Sequence, residues 1–239
     1  MIPHIPCPIC VYHKVQGNTV HSRSWVTPEA FRRQMELFQR YGYQSINFGQ
    51  FLAFRRDPIQ AKFFIITFDD GYQSVYDNAF PVMRELGFTG TLFLSTSFIN
   101  ERHRRDNSWD TTGENKWLTH HLLWTEIFEL LDAGWEVGSH GVTHRALSYL
   151  PNDIAKNEIG YSKYFLEKRL GIPIRFFSYP FGNYDERIKA MVRNIGYELA
   201  VTAGGNPTEY LDGDLFALKR KTMVDDIGDH NFGGYVENP

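Results

Sequence analysis

Short apolar runs alternate along the chain with longer stretches of mixed polar and apolar residues, and the joins between them share one form. An amphipathic stretch ends in glycine, and an aromatic or aliphatic residue then opens an apolar run. This occurs at Arg40-Tyr41-Gly42-Tyr43, Glu85-Leu86-Gly87-Phe88, Asp132-Ala133-Gly134-Trp135, Arg169-Leu170-Gly171-Ile172 and Asn194-Ile195-Gly196-Tyr197. Glycine just past a helix takes the left-handed backbone without a Cβ clash, and a basic or polar last turn suits the negative end of the helix dipole. Helix starts are marked too. Thr27-Pro28-Glu29 sets a capping hydroxyl before a first-turn proline, and Trp124-Thr125-Glu126 and Asp185-Glu186 read as further starts. Phe31, Met35 and Phe38 follow at helical spacing and form a core face.

The apolar runs at 9–12, 63–68, 88–94, 135–138, 175–179 and 198–202 show no polar/apolar alternation. Strands of that kind, alternating with helices, predict a parallel sheet covered by helices. At 239 residues the pattern predicts one α/β barrel domain over 1–239 rather than two domains. The rhythm breaks at 95–121, a charged and Trp-rich stretch too long for an ordinary connection and expected to be a functional rim or a mobile segment.

Composition narrows the function. Hydrophobic residues at 42% and charged residues at 22% describe an ordinary globule. A formal charge of −3, from 25 basic and 28 acidic side chains, argues against a nucleic-acid partner. No stretch approaches the ~20 apolar residues that span a bilayer, so no integral membrane segment is expected. Met1-Ile2-Pro3-His4-Ile5-Pro6-Cys7-Pro8 has neither a basic nor an apolar leader region. The chain as written is therefore expected in the cytoplasm, or at the cell envelope or outside it if an export signal was removed. Two cysteines are too few for a disulfide scaffold, and Cys7-Pro8-Ile9-Cys10 precedes a strand without a second pair to complete a zinc site, so it reads as inert. Aromatics reach 15%, and flat apolar faces beyond the needs of a core suit sugar binding.

In a parallel barrel, function sits at the carboxyl ends of the strands. Asp69-Asp70-Gly71 follows the run at 63–68. Ser139-His140-Gly141-Val142-Thr143-His144 follows that at 135–138, Pro180-Phe181-Gly182 closes that at 175–179, and His13 follows that at 9–12. Asp-Asp-Gly alone is an ordinary turn, and His-x-x-x-His alone is ambiguous; both directly after strands point to a site. One carboxylate and two imidazoles around a divalent ion leave a fourth position open, as catalytic zinc sites do. The spacing of His140 and His144 places both rings on one face of a helical turn. Adjacent aspartates diverge, so one can hold the ion while the other approaches its water as a base.

These residues are familiar as a set. Thr67-Phe68-Asp69-Asp70-Gly71, Ser139-His140-Gly141-Val142-Thr143-His144 and Ser178-Tyr179-Pro180-Phe181-Gly182 resemble, in order, the first three motifs of the polysaccharide deacetylases, the NodB-homology metalloenzymes of carbohydrate esterase family 4. The resemblance runs from about residue 11 to about residue 224. It implies a distorted (β/α) barrel of about seven parallel strands, a divalent metal (most commonly Zn2+, with Ni2+, Co2+ or Fe2+ as alternatives), and hydrolysis of an N-acetyl group on an amino sugar. It assigns Asp69 as general base, Asp70, His140 and His144 as metal ligands, and the Phe181 N–H as donor to the oxyanion. Tyr179 and Pro180 become expected substrate contacts.

Two departures stand out. The arginine that usually opens the third motif and holds the base is missing, its place being Phe177, and the usual C-terminal Leu-x-His is absent. Val11-Tyr12-His13-Lys14-Val15 instead resembles the Tyr-His element of the poly-β-1,6-N-acetylglucosamine deacetylase branch, where the early histidine is the acid. His13 is accordingly the expected acid and His230 the fallback, with a packed core histidine the plain alternative for His13. Arg220 reads by itself as a surface cation and, given the missing arginine, as the candidate to steady Asp69. Trp109 in the insertion is a candidate sugar platform, with Trp117 and Trp124 weaker ones. Arg102-His103-Arg104-Arg105-Asp106 reads as a solvated face, and His120 and His121 as structural or exposed.

The reading is a metal-dependent hydrolase removing N-acetyl groups from N-acetylglucosamine-type sugars of a polysaccharide or oligosaccharide, of unassigned oligomeric state. A deacylase of another small N-acylated molecule or glycolipid head group, and a catalytically silent glycan-binding relative, are the alternatives.

Overall fold

The apolar runs become strands whose pairing builds one curved parallel sheet around the site-bearing strand ends. The computed structural model describes residues 6–17, 25–56, 61–99, 120–203, 208–210, 214–225, 227 and 232. Within them the strands are β1 (Pro6–Tyr12), β2 (Lys14–Val15), β3 (Trp25–Val26), β4 (Gln44–Ser45), β5 (Phe63–Asp69), β6 (Thr91–Leu94), β7 (Glu136–Ser139), β8 (Phe176–Ser178), β9 (Leu199–Val201), β10 (Thr208–Tyr210) and β11 (Lys221–Thr222). The helices are α1 (Pro28–Arg40), α2 (Phe48–Arg56), α3 (Phe80–Glu85), α4 (Trp124–Asp132), α5 (Asn152–Leu170) and α6 (Glu186–Ile195).

Seven strands run parallel, β1-β5-β6-β7-β8-β9 with β11 against β1, and curl into a half-barrel. Its two margins are joined by the stretch containing β11. Leu218 bridges Val201 of β9, and Lys221 and Thr222 pair with Cys10 and Val11 of β1. β10 lies antiparallel to β1, and β4 extends β5 at its start.

The helix ends follow local chemistry. The Thr27 hydroxyl accepts from the Ala30 N–H at 3.2 Å, and the Asp185 carboxylate accepts from the Ile188 N–H at 2.8 Å. The five junction glycines all take positive φ, from 70° to 94°. The short strands β2, β3, β4, β10 and β11, and helix α2, have no apolar run long enough to announce them.

Period-2 alternation divides the strand side chains between two cores. Outward residues such as Phe64, Ile66, Phe68, Leu92 and Phe177 pack under the helices. Inward residues Ile9, Ile65, Phe93, Phe176, Leu199 and Leu218 fill the barrel, closed from below by Phe48, Phe51 and Leu52 of α2. Cys7 and Cys10 belong to opposite cores and are free thiols. Above the inner apolar layer the same parity brings Thr67, Asp69, Ser178 and Arg220 together, and there the interior turns polar.

Gly138 of β7 has no room for a side chain: a Cβ there would sit 2.5 Å from the Phe93 ring and 2.9 Å from the Phe176 carbonyl oxygen. Gly138→Ala is expected to cost about 1–3 kcal/mol through overpacking, read as a lowered midpoint in equilibrium urea unfolding.

Candidate active site

The last inward residue of β5 is Asp69, and it meets a cation from the far end of the chain. Arg220 is fully buried and presents its planar fork to both carboxylate oxygens, Nη1 to Oδ1 and Nη2 to Oδ2, each at 2.7 Å. The remaining donors are also used. Nη1 reaches the Thr67 hydroxyl at 3.0 Å, Nη2 the Ser178 hydroxyl at 2.9 Å, and Nε the Thr202 carbonyl at 3.1 Å. Ser178 in turn donates to Asp69 Oδ2 at 3.1 Å. Burial alone would push the Asp69 carboxyl up; the Arg220 guanidinium and nearby His140 overcome it and hold the group well below the usual carboxylate range. Asp69 is thus ionised and aimed.

Asp70 turns away through a left-handed backbone, φ 73°, followed by Gly71 at φ 75°. Its Oδ1 is buried with no hydrogen-bond donor, 3.2 Å from His144 Nε2 and 3.5 Å from His140 Nε2. His140 Nδ1 lies 2.8 Å from the Ser178 carbonyl oxygen, which fixes the proton there and leaves the Nε2 lone pair facing Asp70. Burial pushes both imidazoles down, His144 to about 3, with His140 adding to the effect on His144. Burial and the neighbouring Asp69 push the Asp70 carboxyl up. One ligand atom from each of Asp70, His140 and His144 lies within 4.8 Å of the others. Two neutral imidazole nitrogens and an orphaned carboxylate oxygen converging in a buried place are a donor set that fits a divalent cation.

The histidine spacing does not reflect a helix. Residues 140–146 form a loop, and His144 stands in the left-handed region at φ 54°. The loop is held instead by Glu158 of α5, a buried carboxylate accepting from the Val142 and Thr143 N–H groups at 2.9 and 2.8 Å and from the Thr143 hydroxyl at 2.6 Å.

The other expected site residues divide. His13 directly follows β1, with its Nδ1 buried and lacking a hydrogen-bond partner. Burial lowers its pKa to about 4; Asp69 opposes this, while Arg220, His140 and Lys14 reinforce it. Phe181 has a left-handed backbone, φ 58°, and an exposed ring packed edge-on against His144 at 4.4 Å between centroids. Tyr179 and Pro180 are buried, and the Tyr179 hydroxyl donates to the Phe216 carbonyl. Arg220 is corrected as a surface cation. Phe177 is corrected as the place facing the base, since it points outward against Tyr197 and the β8 side chain turned toward Asp69 is Ser178. Trp124 is core, tilted against Phe165 and covered by Arg169. His121 is buried between Tyr72 and Phe98. Trp109, Trp117, His230 and the basic run at 102–106 lie outside the described residues. Ser178, Thr67 and Glu158 were missed by sequence reasoning. Counting strand parity back from Asp69 finds Thr67; no local pattern distinguishes Glu158 from a surface glutamate.

Fold and site together define an α/β half-barrel with a metal-type centre and a clamped carboxylate at its strand ends. The chain matches the sequence pattern of the family described as polysaccharide deacetylase over residues 56–200, and it belongs to that family. It is 26% identical over 235 residues to YxkH of Bacillus subtilis, a protein named for the same family, covering 97% of this chain and 76% of that one. It is 27% identical over 180 residues to a poly-beta-1,6-N-acetyl-D-glucosamine N-deacetylase of Staphylococcus epidermidis, covering 71% of this chain and 58% of that protein's length. In fold it resembles the deacetylase PplD of Streptococcus pyogenes, with a TM-score of 0.82 at 20% identity over 98% of this chain and 99% of that one. IcaB of Ammonifex degensii gives 0.79 at 21% identity over 98% and 97%.

Removing Arg220 leaves a buried charge unpaired. Arg220→Ala is expected to cost about 3–5 kcal/mol in urea unfolding, and Arg220→Lys to recover only part, since an ammonium cannot match a carboxylate with two parallel donors. Releasing the histidine loop should loosen the ion. By calorimetric titration with Zn2+, Glu158→Ala is expected to bind roughly 10–100-fold more weakly than wild type, and Glu158→Gln, which keeps an acceptor, to lose less.

Proposed function

We propose that this protein is a metal-dependent hydrolase that removes N-acetyl groups from amino sugars of the N-acetylglucosamine type in a polysaccharide or oligosaccharide. The observation that carries this reading is the position of an ionised, arginine-clamped carboxylate, Asp69, beside the Asp70/His140/His144 cluster. His140 Nε2 is 3.7 Å from Asp69 Oδ2, so base and ligand set share one space. A divalent cation held by Asp70, His140 and His144, with Zn2+ the first choice for that ligand set, supplies Lewis-acid chemistry: it polarises an acyl carbonyl and makes water acidic.

The protein's own groups do the rest. Asp69 is oriented by Arg220 and Ser178 and takes the proton of the attacking water. The Phe181 N–H, in its left-handed turn, donates to the oxygen where negative charge develops. His13 protonates the departing nitrogen. Burial leaves it neutral at neutral pH, so it must gain a proton, the one Asp69 has taken from water, before it delivers one to nitrogen. A binding module without turnover has no use for a base held ionised at the cost of burying its counter-ion, which disfavours the silent reading. The name of the staphylococcal relative supplies the first substrate to try, a β-1,6-linked N-acetylglucosamine polymer.

Acetate release from poly-N-acetylglucosamine and from chito-oligosaccharides, with and without chelator, tests the proposal. Release that chelator abolishes and Zn2+ restores is expected, and Asp69→Asn should lower kcat by about 10²–10⁴-fold with metal retained. Tight glycan binding without any acetate release would replace the enzyme by the silent relative. His13→Ala with full activity and bound metal would take the acid's role from His13.

A further inference from the structure

Phe181 and Gly182 are consecutive residues with left-handed backbones, at φ 58° and φ 64°. A phenylalanine stays in that region only where its surroundings over-determine it. The turn that the two residues form is fastened at both ends. The Tyr179 N–H donates to the Val201 carbonyl and the Tyr179 hydroxyl to the Phe216 carbonyl, each at 3.0 Å, while the Asn183 side chain accepts the Ser148 N–H at 2.8 Å. Inside the turn, the Gly182 and Asn183 N–H groups return to the Tyr179 and Pro180 carbonyls at 2.8 and 2.9 Å. The apex is held from outside by Thr202.

Thr202 directly follows β9 and is buried. Its side chain and its main chain serve different partners. The hydroxyl donates to the Gly182 carbonyl at 3.1 Å, whereas the backbone carbonyl accepts Arg220 Nε, also at 3.1 Å. The Thr202 N–H donates to the Leu218 carbonyl at 2.8 Å, which fixes its main chain to the segment that carries Arg220. Thr202 and the turn are in close contact: a Cβ on Gly182 would stand 2.9 Å from Thr202 Oγ1 and 2.8 Å from the Ala203 nitrogen. One residue thus touches the arginine that clamps Asp69 and the glycine that follows Phe181.

We propose that Thr202 is a positioning residue that sets the Phe181 N–H relative to Asp69, joining the oxyanion turn to the base clamp through one side chain. This rests on the deacetylase reading of the site. The base takes a proton and the N–H receives developing charge in the same transition state, so an error in their separation costs rate and not ground-state binding. Any substitution at 202 keeps the backbone carbonyl that holds Arg220 and removes only what the hydroxyl does for the turn.

The test combines acetate-release kinetics, calorimetric titration with Zn2+ and amide hydrogen exchange on the whole protein. Thr202→Val is expected to lower kcat by about 10–100-fold, with KM and Zn2+ affinity unchanged. Exchange of the amides at 181–183 should become about five- to tenfold faster, the worth of one hydrogen bond. Thr202→Ser, which keeps the hydroxyl, should recover most of both. Gly182→Ala, which pushes the turn away from an intact Thr202, is expected to reproduce the loss of kcat, so the inference stays decidable if Thr202→Val does not fold. An unchanged kcat in Thr202→Val overturns the inference while wild-type acetate release keeps the deacetylase reading; a loss shared by KM or Zn2+ affinity marks general loosening and overturns it too. Wild type that releases no acetate from any glycan overturns the deacetylase reading instead. The hold of Thr202 on the turn is then decided by exchange alone, and an unchanged rate in Thr202→Val overturns it.

Discussion

The ion pair between Arg220 and Asp69 is the interaction on which both the fold's closure and the site's chemistry depend. Arg220 lies two residues beyond Leu218, which bridges β9, and one before β11, which pairs with β1. The segment that joins the margins of the half-barrel is thus the one that delivers the guanidinium to its centre. Burying two charges is expensive, and the attraction between them offsets the loss only with good geometry and full hydrogen bonding. Here the fork is bidentate, and its other donors end on Thr67, Ser178 and Thr202. A polar layer that complete fixes the register of three strands relative to one another, which an apolar barrel interior would leave to shape alone.

Around this pair the backbone is strained where the chemistry needs it. Among the described residues, the non-glycine positions with positive φ are Asp70, His144 and Phe181. Side chains held in that region cost of order 1–3 kcal/mol each and persist only where the surroundings over-determine them. Glu158 supplies that for the loop carrying His144. The Ser148 N–H, in the turn that follows this loop, donates to Asn183 at 2.8 Å and ties it to the turn carrying Phe181. An αL backbone at Asp70 turns its side chain out of the strand's alternation, which is how two adjacent carboxylates come to face different groups, Arg220 for one and the two imidazoles for the other.

Much of the fold was legible in the chain because its determinants are local. Caps at Thr27 and Asp185, glycines at the helix ends and uninterrupted apolar runs each act within a few residues. The site was legible as residue types after strand ends, and Asp69, Asp70, His140 and His144 do come together. What escaped depends on distance along the chain. Arg220 meets Asp69 across 151 positions and Ser178 across 42, and nothing near Arg220 distinguishes a buried arginine from a surface one. The helix expected at 140–144 failed because i, i+4 spacing states only separation, and a loop pinned by one glutamate satisfies it as well as a turn of helix.

The two aspartates also explain each other. Arg220 makes ionisation of Asp69 cheap, and the negative charge so created, added to burial, drives the Asp70 carboxyl upward. Neighbouring carboxyl groups pushed in opposite directions are a usual mark of divided acid–base roles. Burial also pushes both imidazoles down, and the positive charges of Lys14 and Arg220 only partly oppose the rise of the Asp70 carboxyl. The arginine clamp therefore does two things at once: it keeps Asp69 ionised, and through that charge it raises the Asp70 carboxyl of the adjoining Asp70/His140/His144 cluster. A neutral residue at 69 would remove that part of the push on the Asp70 carboxyl, so the two carboxyl groups are electrostatically coupled.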